Sequence, residues 1–315
     1  MKLDFVCIGA QKAGTTKLHE ILSSDKKNFN FPNPKEAHFF DIDERFENGI
    51  EYFFKRFYNN YDNNKKTILI NPNISIELEY INRILKVFPY VKILLILRNP
   101  LDRAFSHYKM SKFRGLENLS FLSAIQNEGD RLSNPDFYPK YKTSVSGHYE
   151  KNHFGYLYRG DYAKLVQYCN SNIKKENFKI IFFDEFINNM NDVVLDIYKF
   201  LNISRPSYKL NLSKSNQSTS SVIPSINSFI FNKTSKTKMS FLPKELKFFL
   251  KKFLTSINSY ESKSKVKFDK PNFDKFFLPM ILDLEKVLGI KLDKWKKIKD
   301  IIDESNRSDK LEKIE

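Results

Sequence analysis

Lys12 stands inside a turn, Gly9-Ala10-Gln11-Lys12-Ala13-Gly14-Thr15-Thr16, that follows an apolar run over 3–8 and leads into the periodic positions Leu18, Ile21 and Leu22. The pattern predicts strand, glycine-containing loop and helix. Such a turn leaves backbone N–H groups free at a helix N-terminus, which is an anion site. The spacing from Gly9 to Gly14 is that of a P-loop, but a nucleotide triphosphatase ends its loop in Gly-Lys-Ser/Thr. Here Thr15 takes the lysine's place, and the loop's own lysine lies two residues before Gly14. A phosphate loop that carries its cation inside the turn points to a donor other than ATP. The plain alternative is an ordinary strand–turn–helix with a solvated lysine. Arg98 ends a second apolar strand, 91–97, and Ser106 follows eight residues later on a helix opened by Pro100. Arginine meets phosphate through paired planar hydrogen bonds and serine adds one more. For Arg98 the alternative is a structural ion pair, for example with Asp102.

These residues bring a family into view. Gly-x-x-Lys-x-Gly-Thr-Thr after a first strand resembles the 5′-phosphosulfate loop of sulfotransferases, which use 3′-phosphoadenosine-5′-phosphosulfate (PAPS). The block from Arg98 to Tyr108 resembles the family's 3′-phosphate motif. Lys35-Glu36-Ala37-His38-Phe39-Phe40 is similar to the segment that carries the catalytic glutamate in the glycan-modifying, heparan-type branch. Gly160-Asp161-Tyr162 and the run 178–186 resemble a helix and fourth strand of bacterial members. The likeness spans about residues 3–295. It implies a donor site of Gln11, Lys12, Ala13, Gly14, Thr15, Thr16, Arg98 and Ser106. The N–H groups from Ala13 to Thr16 and the two threonine hydroxyls would hold the 5′-phosphate.

Sulfuryl transfer resembles phosphoryl transfer: the group moves in line between two oxygens through a loose transition state. It needs a cation at the leaving oxygen and a base for the acceptor proton. Lys12 fits the first role. The resemblance assigns the second to Glu36, whose plain alternative is a loop glutamate paired with Lys35. His38 can orient Glu36, and it is the alternative base because cytosolic sulfotransferases of small molecules use histidine. His19 and His107 fall on helices and read as structural. The implied acceptor is a hydroxyl (or amine), on a carbohydrate or glycolipid. In heparan-type relatives a lysine-containing segment follows the second strand; here that place reads Ile70-Asn71-Pro72-Asn73, which argues against a heparan-like acceptor. No metal is implied. The competing readings are a P-loop nucleotide or sugar kinase, and a basic protein that binds nucleic acid or a membrane surface.

The elements that must position these groups alternate along the chain. Strands are expected over 3–8, 67–70, 91–97 and 178–183, and helices over 15–24, 49–58, 76–88, 100–113, 119–128, 161–172 and 189–201. Residues 28–42 are expected to be irregular and 129–160 to be a long loop. Alternation of this kind predicts an α/β, three-layer P-loop-like fold, with a central parallel sheet flanked by helices and ligands at the strands' carboxyl ends. The expected domain is 1–295, with a charged tail at 296–315. The 315 residues, 41% of them apolar, suffice for one large core.

Cys7 lies inside the first strand and reads as a buried free thiol. Residues 209–270 hold thirteen lysines against three acids, so +10 of the chain's +16. Within them, 243–257 reads as an amphipathic helix, either packed on the core or lying on an anionic membrane surface. No apolar run approaches the ~18 residues of a span. A strand beginning at Leu3 leaves no room for a leader, so a bacterial-type cytoplasmic enzyme is expected, in contact with the inner face of the membrane if that helix lies on it. A glycan or small-molecule acceptor is the expected partner, and no nucleic acid.

Overall fold

A computed structural model describes residues 1–134, 149–204, 219–221, 259–261, 266–297 and 300–301. Five parallel strands form the central sheet: β1 (Phe5–Gly9), β2 (Phe29–Asn30), β3 (Lys66–Ile70), β4 (Lys92–Leu97) and β5 (Phe178–Phe182), in the order β2-β3-β1-β4-β5. Phe5 pairs with Ile68 on one side and Lys92 on the other. β1 and β4 are buried almost throughout, which is why they read as continuous apolar runs without alternation. β2 adds two residues of edge strand inside the segment expected to be irregular. It is too short to carry a period.

The chain leaves β1 toward β2 on one side and leaves β4 toward β5 on the other. The carboxyl ends of β1 and β4 therefore border the switch point of the sheet, where α/β folds bind their ligands. α1 (Thr15–Ser23) follows β1. α2 (Asp43–Phe46) and α3 (Gly49–Phe57) precede β3, and α4 (Leu78–Val87) follows it after a 3-10 turn at Ile74–Ile76. α5 (Pro100–Phe113) follows β4. Its cap is Asn99, whose Oδ1 accepts from the N–H groups of Leu101 and Asp102 and whose Nδ2 donates to the Trp295 carbonyl. The end of β4 is thereby tied to the C-terminal part of the described chain.

Beyond α5 come α6 (Phe121–Gln126), α7 (Glu128–Ser133) and α8 (Tyr149–Phe154), then a 3-10 turn, Tyr158–Gly160. Much of the expected loop over 129–160 is thus helical and packed inward, and 135–148 lies outside the described residues. α9 (Ala163–Asn172), α10 (Phe183–Asn188) and α11 (Met190–Phe200) complete the alternation around β5. α12 (Lys270–Phe276) and α13 (Leu278–Leu288) close the fold, with α13 packed on α9. Two small antiparallel pairs join β6 (Thr219–Ser221) to β7 (Ser259–Glu261), and β8 (Val266–Lys267) to β9 (Asp300–Ile301). The expected helix over 243–257, and nearly all of the basic stretch 209–270 and of the tail from 296, lie outside the described residues. Among the described residues no helix is long and apolar enough to cross a membrane. Cys7 and Cys169 are free and buried, and burial pushes both thiols up to about 12.

A buried polar knot fixes the segment after α7. Glu117 accepts from both terminal nitrogens of Arg131, at 2.5 and 3.1 Å, and from the Tyr156 hydroxyl at 2.8 Å. Removing one member of a buried ion pair leaves the other charge without compensation. Arg131→Met should therefore lower the free energy of unfolding by about 3–5 kcal/mol in urea titration. A loss below about 1 kcal/mol would mean that the pair is as weak as a solvated one.

Candidate active site

The loop after β1 takes its shape from two left-handed residues. Gly14 sits at φ +87°, where a Cβ would lie 3.2 Å from the Phe186 ring, so both conformation and space demand glycine. Lys12 sits at φ +69°, a conformation that costs a non-glycine residue roughly 1–2 kcal/mol. Its carbonyl accepts a 2.7 Å hydrogen bond from Arg98 Nη1. Arg98 is the first residue past β4, so one guanidinium joins the carboxyl ends of two adjacent strands. The Arg98 plane also stacks over Phe183 of α10, 4.5 Å from the ring centroid, and its Nε is buried without a partner.

A cavity of about 970 Å³ opens at this junction. Of the sequence-predicted donor residues it is lined by Gln11, Lys12, Gly14, Thr15, Thr16, Arg98 and Ser106, and the predicted catalytic residues Glu36 and His38 line it too. Ala13 departs from expectation: it is fully buried beneath the loop, and its N–H already donates to the Ala10 carbonyl at 3.1 Å. The first-turn N–H groups of α1 at Thr15 and Thr16 have no intrahelical acceptor and remain for an anion. Gln11 leans away from that turn, its Nε2 3.4 Å from the Asn152 carbonyl on α8.

Cations dominate the lining. Lys17 and Arg114 join Lys12 and Arg98, with Glu36 the carboxylate among them. Burial brings the Lys12 ammonium down to about 8, and the positive charges of Arg114, Arg98, Lys109 and Arg103 push the same way. Lys12 has no ion pair among the described residues. Burial likewise lowers Arg98, against the nearby Asp102, Tyr162 and Asp184. Asp102 acts on Arg98 through charge, not through the close ion pair that was the alternative reading.

Glu36 and His38 lie in the irregular stretch between β2 and α2. Lys35 Nζ is 3.0 Å from Thr16 Oγ1 and 3.8 Å from Glu36, which ties this stretch to the phosphate loop. His38 Nδ1 lies 2.7 Å from the carboxylate of buried Asp41, and Asp41 in turn accepts from Asn71 Nδ2 at 3.0 Å. His38 Nε2 is 3.7 Å from Glu36. Burial disfavours the charged ring, but the Asp41 hydrogen bond and charge, with the Glu36 charge, outweigh it and raise the His38 pKa.

His19 and His107 are structural, as expected. Burial takes His19 down to about 4, and His107 is fully buried with Nε2 2.8 Å from the Asn152 carbonyl. The sequence gives no local signal for Arg114, Asn152 or His153, which reach the cavity from the end of α5 and from α8.

The family model for the sulfotransferase domain matches residues 2–294. Over 103 residues the chain is 36% identical to heparan sulfate glucosamine 3-O-sulfotransferase 5 of Mus musculus, and equally to that of Homo sapiens. Each match covers 33% of this chain and 29% of the relative, so the chain matches less than a third of the length of these curated proteins. A crystal structure of a sulfotransferase from Alicyclobacillus acidocaldarius aligns with a TM-score of 0.63 at 23% identity, over 94% of this chain and 100% of that one. That likeness is one of fold. With the domain matched from residue 2 to residue 294, this chain belongs to the sulfotransferase domain family.

Proposed function

We propose that this protein moves the sulfuryl group of PAPS to a hydroxyl of a carbohydrate or glycolipid. The observation that carries the reading is one cavity holding a partly buried lysine with no ion pair among the described residues, an arginine with an orphaned buried Nε, and a carboxylate. The kinase alternative finds no support in the family to which the chain belongs. The donor, when bound, supplies an activated sulfuryl group on a phosphate leaving group. The site residues fit its two anionic ends. Gly14, Thr15, Thr16 and Lys12 would hold the 5′ end, and Arg98 and Ser106 the 3′-phosphate. Lys12 neutralises charge where the leaving oxygen becomes anionic. Glu36 takes the acceptor proton. His38, held by Asp41 at Nδ1 and with Nε2 3.7 Å from Glu36, orients Glu36. The carbohydrate acceptor is supported by the Lys35-to-Phe40 block and by the names of the partly matching curated relatives.

Adenosine 3′,5′-bisphosphate should bind far more tightly than AMP or the 2′,5′ isomer, and Arg98→Ala should weaken it tenfold or more, as for a lost charged hydrogen bond of roughly 1.5–3 kcal/mol. Calorimetry that finds AMP equal would remove Arg98 and Ser106 from the 3′-phosphate.

Lys12 is an ammonium below about 8 and neutral above it. Affinity for the bisphosphate should therefore fall as pH rises through 8, and bound anion should raise the lysine's own pKa by linkage. Lys12→Met should bind more weakly at pH 7 and lose that alkaline dependence. A wild-type affinity flat from pH 7 to pH 9 would contradict the assignment.

Glu36→Gln should keep bisphosphate affinity within about twofold while transfer falls roughly 10²- to 10⁴-fold, the range for general-base catalysis. His38→Ala should cost less. The reverse order would make His38 the base and withdraw the carbohydrate acceptor.

A further inference from the structure

Two asparagine amides share the cavity lining with Glu36. Asn73 lies just past β3, and Asn152 projects from α8. Behind them stands Arg159, in the 3-10 turn after α8 and 5% exposed. Its Nη1 donates to Asn152 Oδ1 at 2.6 Å, and its Nη2 donates to Asn73 Oδ1 at 3.2 Å and to the Pro72 carbonyl at 2.8 Å. Arginine can only donate. It therefore fixes which way each amide faces. With both Oδ1 atoms taken, the Nδ2 groups are the hydrogen-bonding edges left over, and neither has an acceptor among the described residues. Gln11 supplies the complement: its Oε1 is buried without a partner while its Nε2 reaches toward the Asn152 carbonyl.

These groups thus offer two donors and one acceptor in the cavity that Glu36 also lines. A hydroxyl both donates and accepts, so an acceptor with hydroxyls on neighbouring carbons can satisfy all of these groups together. A phenol or simple alcohol has one hydroxyl, which goes to Glu36, and leaves the amides unpaired in a partly buried site. Such a loss is how polar pockets reject analogues. We propose that Asn73 and Asn152, held in register by Arg159 and joined by Gln11, are the specificity residues of the acceptor subsite, and that they restrict transfer to polyhydroxylated acceptors. The inference rests on the sulfotransferase reading above and deepens it.

The test measures transfer from labelled PAPS to methyl glycosides of glucose, galactose and N-acetylglucosamine, beside cyclohexanol and 4-nitrophenol. At least one glycoside should exceed both single-hydroxyl compounds tenfold or more in kcat/KM. Asn73→Asp and Asn152→Asp keep an oxygen for Arg159 and replace the Nδ2 donor with a charged acceptor oxygen. Each should raise the glycoside KM about tenfold, the scale of one hydrogen bond, and shrink the preference. Asn73→Ala and Asn152→Ala separate the lost donor from the added charge and should act alike, with bisphosphate affinity unchanged within twofold. Variants with an intact preference would overturn the proposal. So would a wild-type enzyme that binds the bisphosphate but favours phenol or cyclohexanol, or sulfates no glycoside; that result leaves the donor reading standing. Failure to bind the bisphosphate at all removes both.

Discussion

A hydrogen bond from Arg98 to the Lys12 carbonyl holds the site together, because it joins the carboxyl ends of the two central strands. A hydrogen bond to a charged group contributes roughly 1.5–3 kcal/mol, enough to offset the roughly 1–2 kcal/mol of a left-handed lysine. The strained turn therefore persists without help from glycine at that position. Its shape decides where the lysine's side chain can go and frees the first turn of α1. Phe183 stacks on the Arg98 plane from one side, and Phe186 fills the space that a Cβ on Gly14 would need. α10 is thus part of the loop's mould although it is remote in sequence.

Positive charge accumulates behind this junction. Arg103 is fully buried and donates to the carbonyls of Gly155 and Tyr156, and Arg159 is buried among amides and a carbonyl. Burial brings Arg159 down to about 9, with Arg103 adding to the fall and the charges of Glu36 and Asp41 opposing it. Glu128 does little to compensate. Its carboxylate accepts the N–H groups of Leu157 and Tyr158, yet burial still pushes it up to about 7. The cavity thus borders a low-dielectric, electropositive interior, where an anion gains more than it would in water. The same field lowers Lys12.

What was legible in the sequence follows from the range of the interactions. β1, β4 and the turn between β1 and α1 rest on local rules: apolar runs for fully buried strands, and glycine where φ is positive. Glu36 and His38 were legible through the pattern of the Lys35-to-Phe40 block, since their segment has no period of its own. Ala13 was misplaced because a sequence pattern does not say which N–H a tight turn uses internally. The segment over 149–160 read as loop because its order comes from distant partners, with Glu117 and Arg131 holding Tyr156 and Glu128 holding the next two N–H groups. Asn152 and Arg159 carried no signal for the same reason: their roles exist only once the turn after α8 meets Pro72 and Asn73.

The two halves of the cavity are therefore built under different constraints. The half around Lys12, Arg98 and Ser106 sits on strand ends and an adjoining helix, so the sheet's register fixes it. The half around Glu36, Asn73 and Asn152 comes from three irregular segments held by side chains: Lys35 to the phosphate loop, Asp41 to His38 and Asn71, and Arg159 to both amides. A substitution at Asn73 or Asn152 alters what that half can hydrogen-bond without moving a strand. Asn71, just past β3, spends its amide on Asp41 and so serves the His38 clamp. In this chain the residue after β3 holds Asp41 and, through it, His38.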